Sequence, residues 1–306
     1  MTYAAEDEVF NIDGREVAAK LWQKPDAIQA SIPLIALHGW CDNAASFDFL
    51  APALNAQVLA IDLAGHGKSY HRGSGGSYTI WSDIYDIYAV AQAMGWQSFH
   101  LVGHSRGAMI ATIFASVFPE KVQEILLIEG LLPPPEPIEN ISQQLRRSVN
   151  AKEKLSNLPK NHYDSYEAAT KAREKGLFHI SNKDAAALAK RGVLKQDKSS
   201  REGLDSYIWY YDPLLKCPSE VKLSMEHLRV IASEVRSPVT LVTGEQSGFE
   251  KYDALLNVFK ELMTINHHIV PGRHHLHMSE NAGRVASIFD AAIAKSKKST
   301  EGESLQ

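Results

Sequence analysis

Five residues, Gly103-His104-Ser105-Arg106-Gly107, constrain this chain more than any others. An apolar run over residues 99–103 precedes them, and Met109, Ile110, Ile113 and Phe114 follow at helical spacing until Pro119. A serine bracketed by glycines between a strand and a helix implies a very sharp turn. The serine backbone is strained there, and a side chain at either flanking position would clash. The turn presents the hydroxyl at the edge of a sheet, and the helix behind it aims N–H groups and a positive dipole end at developing negative charge. Ser105 is therefore the candidate nucleophile, with the Arg106 backbone amide as one oxyanion donor. A serine that only caps its helix is the plainer alternative.

The surrounding pattern supports the first reading. Apolar runs at 32–37, 57–62, 99–103 and 122–128 alternate with helical stretches, among them 80–94 with Ile80, Ile84, Ile87 and Ala91 on one face. Two more runs, 238–243 and 265–270, come late in the chain. Such alternation predicts an α/β fold with a mostly parallel sheet and a site at the carboxyl ends of its strands. Leu37-His38-Gly39-Trp40 closes the first run, where the Trp40 amide can complete an oxyanion hole and His38 reads as a structural hydrogen-bonder. The glycine-rich turn from Asp62 to Ser69 lacks phosphate-loop spacing and reads as a tight structural turn.

The alternation breaks at Leu131. Pro133, Pro134, Pro135 and Pro137 cannot continue a helix or a central strand, and the next hundred residues read as almost wholly helical. Asp164 with Glu167 and Ser181 with Asp184 suit capping boxes; the second helix stops at Gly192, and Ser224 opens another to about 235. The expected organisation is a core of residues 1–130 and 236–296, a helical cap over 131–235, and a disordered tail at 297–306. Trp209, Tyr210 and Tyr211 are the cap's densest aromatic cluster and its candidate substrate-binding residues.

Three motifs in order carry a resemblance: His38-Gly39 after one strand, Asp62-x-x-Gly65-His66-Gly67-x-Ser69 after the next, and the serine turn after the third. Together they resemble the α/β-hydrolase superfamily. The stretches 37–48 and 271–280 resemble the serine hydrolase-like family in particular. The resemblance implies about eight mostly parallel strands, a helical cap, a hydrolytic, esterase-like activity and no cofactor. It also implies a histidine after the last strand, where His274, His275 and His277 stand; His274 precedes Ser279-Glu280 in the family's register, and His275 is its rival. The family's usual acid position, after the penultimate strand, holds Ser247. Glu129, at a site from which some relatives recruit their acid, is the preferred substitute, and Glu245 is the alternative.

Serine attack needs a general base, and imidazole suits that task near neutral pH. The reading is a serine carboxylesterase for small to medium apolar esters. Two alternatives stay open: a ligand-binding or regulatory protein on a hydrolase fold, motivated by Ser247, and carbon–carbon bond hydrolysis at the same serine. No zincin-like carboxylate accompanies the late histidines, so no metal is expected. The formal charge of -4 argues against a nucleic-acid partner. Two cysteines, no long apolar run and a polar, acidic N-terminus lead to the expectation of a cytoplasmic protein without a membrane partner.

Overall fold

Asp13-Gly14 separates two alternating runs, and both residues take positive φ (51° and 79°), the geometry of a tight hairpin turn. In the computed structural model, which describes residues 4–24, 32–73, 76–156, 161–196 and 206–303, this turn joins β1 (Glu6–Ile12) to β2 (Arg15–Trp22). The hairpin is the antiparallel end of an eight-stranded sheet that also contains β3 (Leu34–Leu37), β4 (Val58–Ile61), β5 (Phe99–His104) and β6 (Val122–Ile128). Two later strands, called β9 (Val239–Gly244) and β10 (Ile265–Val270) once the intervening pair is counted, complete the order β1-β2-β4-β3-β5-β6-β9-β10. From β4 to β10 every pairing is parallel.

Alternation along each strand divides the core. Ile35, Leu37, Leu59 and Leu101 face a layer formed by α1 (Ile84–Ala93), α2 (Arg106–Val117) and further helices. Leu34, Ala36, Val58 and Val102 face the opposite layer, where Phe47 and Phe289 are fully buried. Burial on both faces explains why β3 to β5 read as continuous apolar runs.

Between β6 and β9 lie α3 (Ile141–Ser156), α4 (Tyr166–Glu174), α5 (Asn182–Gly192), β7 (Val193–Gln196), β8 (Ser206–Trp209) and α6 (Met225–Glu234). The segment is not wholly helical: β7 and β8 form an antiparallel pair, for which Val193 and the Tyr207-Ile208-Trp209 run have the right β-branched and aromatic character. The cap of α4 is Ser165, not Asp164, because its side chain accepts from Ala168 N at 3.0 Å. Ser181 caps α5 as expected. Leu228 and Ala232 of α6 are buried in the layer beside α2, so this helix packs with the sheet although it falls within the expected cap. After β9 come α7 (Asp253–Lys260) and, after β10, α8 (Ala282–Glu303). The tail expected to be disordered from residue 297 is helical to Glu303, with Ala, Lys and Glu carrying the helix past the core; residues 304–306 lie outside the described residues. No described helix is long and apolar enough to cross a membrane.

Candidate active site

Parallel register decides which residues meet. His104 pairs with Ile128 and Ile128 with Val242, so the next residues, Ser105, Glu129 and Thr243, emerge side by side at one sheet edge. Ser105 N donates to Ile128 O at 2.8 Å and Glu129 N to Val242 O at 3.1 Å. Ser105 has φ 52° and ψ −113°, a conformation held only because its surroundings leave no other. The glycines behave as their motif requires: a Cβ on Gly107 would stand 2.0 Å from Leu37 O, and one on Gly103 2.5 Å from Ala108 Cα. Among the described residues four non-glycines have positive φ, and apart from Asp13 in the hairpin they are Cys41, Ser105 and Glu129. Strain is concentrated at this edge.

Glu129 is buried. One carboxylate oxygen, Oε1, accepts from Gly244 N at 2.6 Å, and the other, Oε2, lies 3.3 Å from His274 Nδ1. With Nδ1 committed to the carboxylate, Nε2 is the nitrogen left to serve Ser105, which lines the same cavity as His274 and Glu129. Glu245 is exposed and its amide bonds Val270 O, so the geometry brings Glu129, not Glu245, to the histidine. Ser247 uses its hydroxyl to close its own turn, donating to Gly244 O at 2.9 Å and accepting from Phe249 N at 3.2 Å.

The Trp40 amide sits in a turn in which Asp42 N donates to Gly39 O at 3.2 Å. Cys41, third in that turn, has φ 60°, and its amide donates to His66 Nε2 at 3.1 Å. His66 thus buttresses the turn that contains the Trp40 amide, a role the Gly65-His66-Gly67 motif signalled only as a tight turn. His38 accepts from Leu63 N at 3.0 Å and contacts Gly39 O through Nδ1, the structural part expected of it. Arg106 begins α2, where its amide has no acceptor within the helix. Its guanidinium turns away to Asp83 Oδ2 at 2.9 Å and to the carbonyls of Tyr78 and Thr79.

Residues 32–281 match the family model described as the alpha/beta hydrolase fold. The chain belongs to the α/β-hydrolase family. A serine hydrolase-like protein of Dictyostelium discoideum is 28% identical, over 90% of this chain and 78% of its own. The human serine hydrolase-like protein 2 is 28% identical over 90% of each chain. Among solved structures, a hypothetical protein from Pseudomonas aeruginosa superposes with a TM-score of 0.85 at 35% identity, covering 94% of this chain and 99% of that one. The thioesterase domain from the curacin biosynthetic pathway superposes at 0.78 with 25% identity, covering 93% and 99%.

Next to Ser105 this α/β-hydrolase carries a buried histidine cluster that sequence patterns did not reveal. His104 Nε2 bonds the His274 carbonyl oxygen at 2.8 Å, anchoring the backbone that carries His274. His275 Nε2 lies 3.1 Å from Asp42 Oδ2, and His277 Nε2 lies 2.7 Å from Ser46 Oγ. Burial pushes His104 and His275 down and His277 to about 3. His275, the rival base, is therefore engaged with Asp42 away from the cavity. Asp42, His104 and His275 place one ligand-type atom each within 4.8 Å of one another. Arg173 of α4 already supplies the positive charge there, at 2.6 Å from Asp42 Oδ1, and holds that carboxyl well below its usual range.

Two cavities meet at this edge. The first, about 120 Å³, is lined by Ser105, His274 and a mostly apolar wall from Met109, Leu131, Leu132, Phe249, Leu256 and Phe259. The second, about 250 Å³, includes Trp40, Trp209 and Tyr211. Tyr210 lines neither; it stacks on His71 at 4.6 Å, so the expected aromatic cluster splits. Phe178, which no sequence signal marked, lines both cavities and stacks on His274 with ring centroids 3.9 Å apart.

Proposed function

We propose that this α/β-hydrolase is a serine carboxylesterase that cleaves small to medium apolar acyl groups from ester or thioester carbonyls through an acyl-enzyme on Ser105. The observation that carries the reading is His274, bonded to buried Glu129 at 3.3 Å while lining the Ser105 cavity. Ser105 Oγ attacks the carbonyl carbon as its proton passes to His274 Nε2, and the Glu129 carboxylate stabilises the imidazolium. The Trp40 and Arg106 amides receive the oxyanion. Collapse expels the leaving oxygen or sulfur, which takes the proton from Nε2; water then repeats the sequence and releases the acid. The apolar wall formed by Leu131, Leu132 and Phe259 supports an apolar acyl group, and the thioesterase neighbour supports including sulfur leaving groups. Glu129 also removes the motive for a non-catalytic reading, because a carboxylate meets the histidine although Ser247 does not supply it.

The test is turnover of p-nitrophenyl butyrate together with labelling by a fluorophosphonate. Wild type should turn over and label, and Ser105→Ala should do neither, with kcat lower by at least ~10^4-fold. Equal turnover by the two proteins would overturn the assignment, and saturable binding without labelling would favour a ligand-binding protein.

A further inference from the structure

The second cavity differs in chemistry from the first. Its wall is largely aromatic, with Trp40, Tyr163, Phe178, Trp209 and Tyr211, and it includes two cations, Arg173 and Lys216. No carboxylate is among its described lining residues, whereas those of the first cavity include Glu129 as well as Lys251. Arg173 is neutralised by Asp42 at 2.6 Å. Lys216, an exposed residue, has no ion pair among the described residues: its ammonium hydrogen-bonds the Tyr211 side chain and lies 5.2 Å from that ring's centroid, with Cys41 and Tyr163 as further neighbours. Trp40, whose indole is fixed by a 2.9 Å hydrogen bond to Leu215 O beside that lysine, also carries the candidate oxyanion amide. The residue with the candidate oxyanion amide therefore also lines the aromatic cavity.

We infer that the second cavity binds the leaving group of the substrate and that this group is a flat or aromatic one bearing an anion, carboxylate or phosphate, paired with Lys216. The inference rests on the hydrolase reading and extends it to a substrate class: an apolar acyl chain joined through an ester or thioester to an anionic leaving group. Phe178 fits this division. Its ring stacks on His274, the group that protonates the departing atom, and it is shared by the two cavities.

The experiment holds the acyl group constant and changes the leaving group. Benzyl butyrate, 4-(butanoyloxymethyl)benzoate and 4-(butanoyloxymethyl)phenyl phosphate are compared by kcat/KM, with benzyl hemisuccinate carrying the charge on the acyl side instead. The anionic leaving groups should be preferred about tenfold over the neutral one, as a partly exposed charge-assisted contact allows, and the preference should shrink with added salt. The carboxylate and phosphate arms show which anion the cavity takes. Lys216→Gln should bring the anionic-to-neutral ratio close to one, while Lys216→Arg should keep most of it. Equal kcat/KM for neutral and anionic leaving groups, or a preference confined to the hemisuccinate, would overturn the inference. Calorimetry separates it from the parent reading: Ser105→Ala protein should bind 4-(hydroxymethyl)benzoate more tightly than benzyl alcohol, in a Lys216-dependent way. Such binding without any wild-type turnover would sink the esterase reading alone, whereas turnover without anion preference would sink only this subsite.

Discussion

The half of the site built from the sheet and the half built from the inserted segment are held in different ways. Ser105 and Glu129 each follow a strand's last residue and are positioned by backbone hydrogen bonds of 2.8 and 3.1 Å to neighbouring strands. Phe178, Trp209, Tyr211 and Arg173 come from helices, a short hairpin and their connections, and are fixed by side-chain bonds such as Trp209 Nε1 to Ala169 O at 2.9 Å. Sheet register places atoms to within a fraction of a bond length and tolerates strain, as the positive φ at Ser105 and Glu129 shows. Side-chain stitching allows a wall to be remodelled without disturbing the chemistry. The sheet half should therefore govern kcat, and the inserted half stability and substrate selection.

The sharpest test lies on the sheet side. Glu129→Gln keeps the shape but removes the charge facing His274, so kcat should fall by about 10^3- to 10^4-fold. Glu245→Gln, in the exposed turn, should stay within about twofold in the same ester assay. The reverse ranking would break the comparison at its centre.

Next in size is the ion pair that joins the halves. Arg173→Met leaves the buried Asp42 carboxylate without its main partner and should destabilise the protein by ~3–5 kcal/mol in urea unfolding. Adding Asp42→Asn to Arg173→Met should recover much of that loss. If the single change costs nothing, the inserted segment is held by its apolar contacts instead.

Acid should weaken the floor beneath both halves. His38, His66, His104, His275 and His277 are all held below their ordinary range by burial. The unfolded chain takes up protons at these sites from about pH 6.5 downward, and the folded chain does so only at lower pH. Stability should therefore fall as pH drops below ~6.5, by up to ~1.4 kcal/mol per pH unit for each histidine. Urea midpoints at pH 7.5 and 5.5 measure the slope, and a flat profile would mean that the rings take up protons in the native state as readily as in the unfolded chain.

The smallest effect belongs to the shared ring. Phe178→Ala removes the stack on His274 and should lower kcat/KM by about tenfold or less. A change in preference among p-nitrophenyl esters of different acyl length should accompany it, because the partition between the cavities is gone.

The same division explains what could be read from the sequence. The serine turn and the buried parallel strands from residue 32 onward were legible because each depends on local constraints: glycines where a Cβ has no room, and apolar runs where a strand is buried on both faces; the β1–β2 hairpin and the order of the strands in the sheet were not. Glu129 was a candidate through the resemblance, which implies that some relatives recruit their acid at this strand end; the structure puts it level with Ser105 in the parallel sheet. What the sequence does not show is the register of β6 on β9, a long-range fact that brings Glu129 rather than Glu245 to the histidine. Phe178, Arg173 and the Asp42–His275 contact left no local trace, since each joins segments far apart in the chain, the two polar contacts spanning 131 and 233 positions. The β7–β8 pair was missed because its two strands have only four residues each.

A carboxylate that meets His274 from the end of β6 leaves the turn after β9 without that task. Ser247, Gly248, Phe249 and Tyr252 have no proton to manage there and instead line the first cavity. That turn can then accept insertions, deletions or bulkier side chains as an adjustable stop for the acyl chain. An engineer seeking a new chain-length preference can randomise it while leaving the reaction machinery untouched.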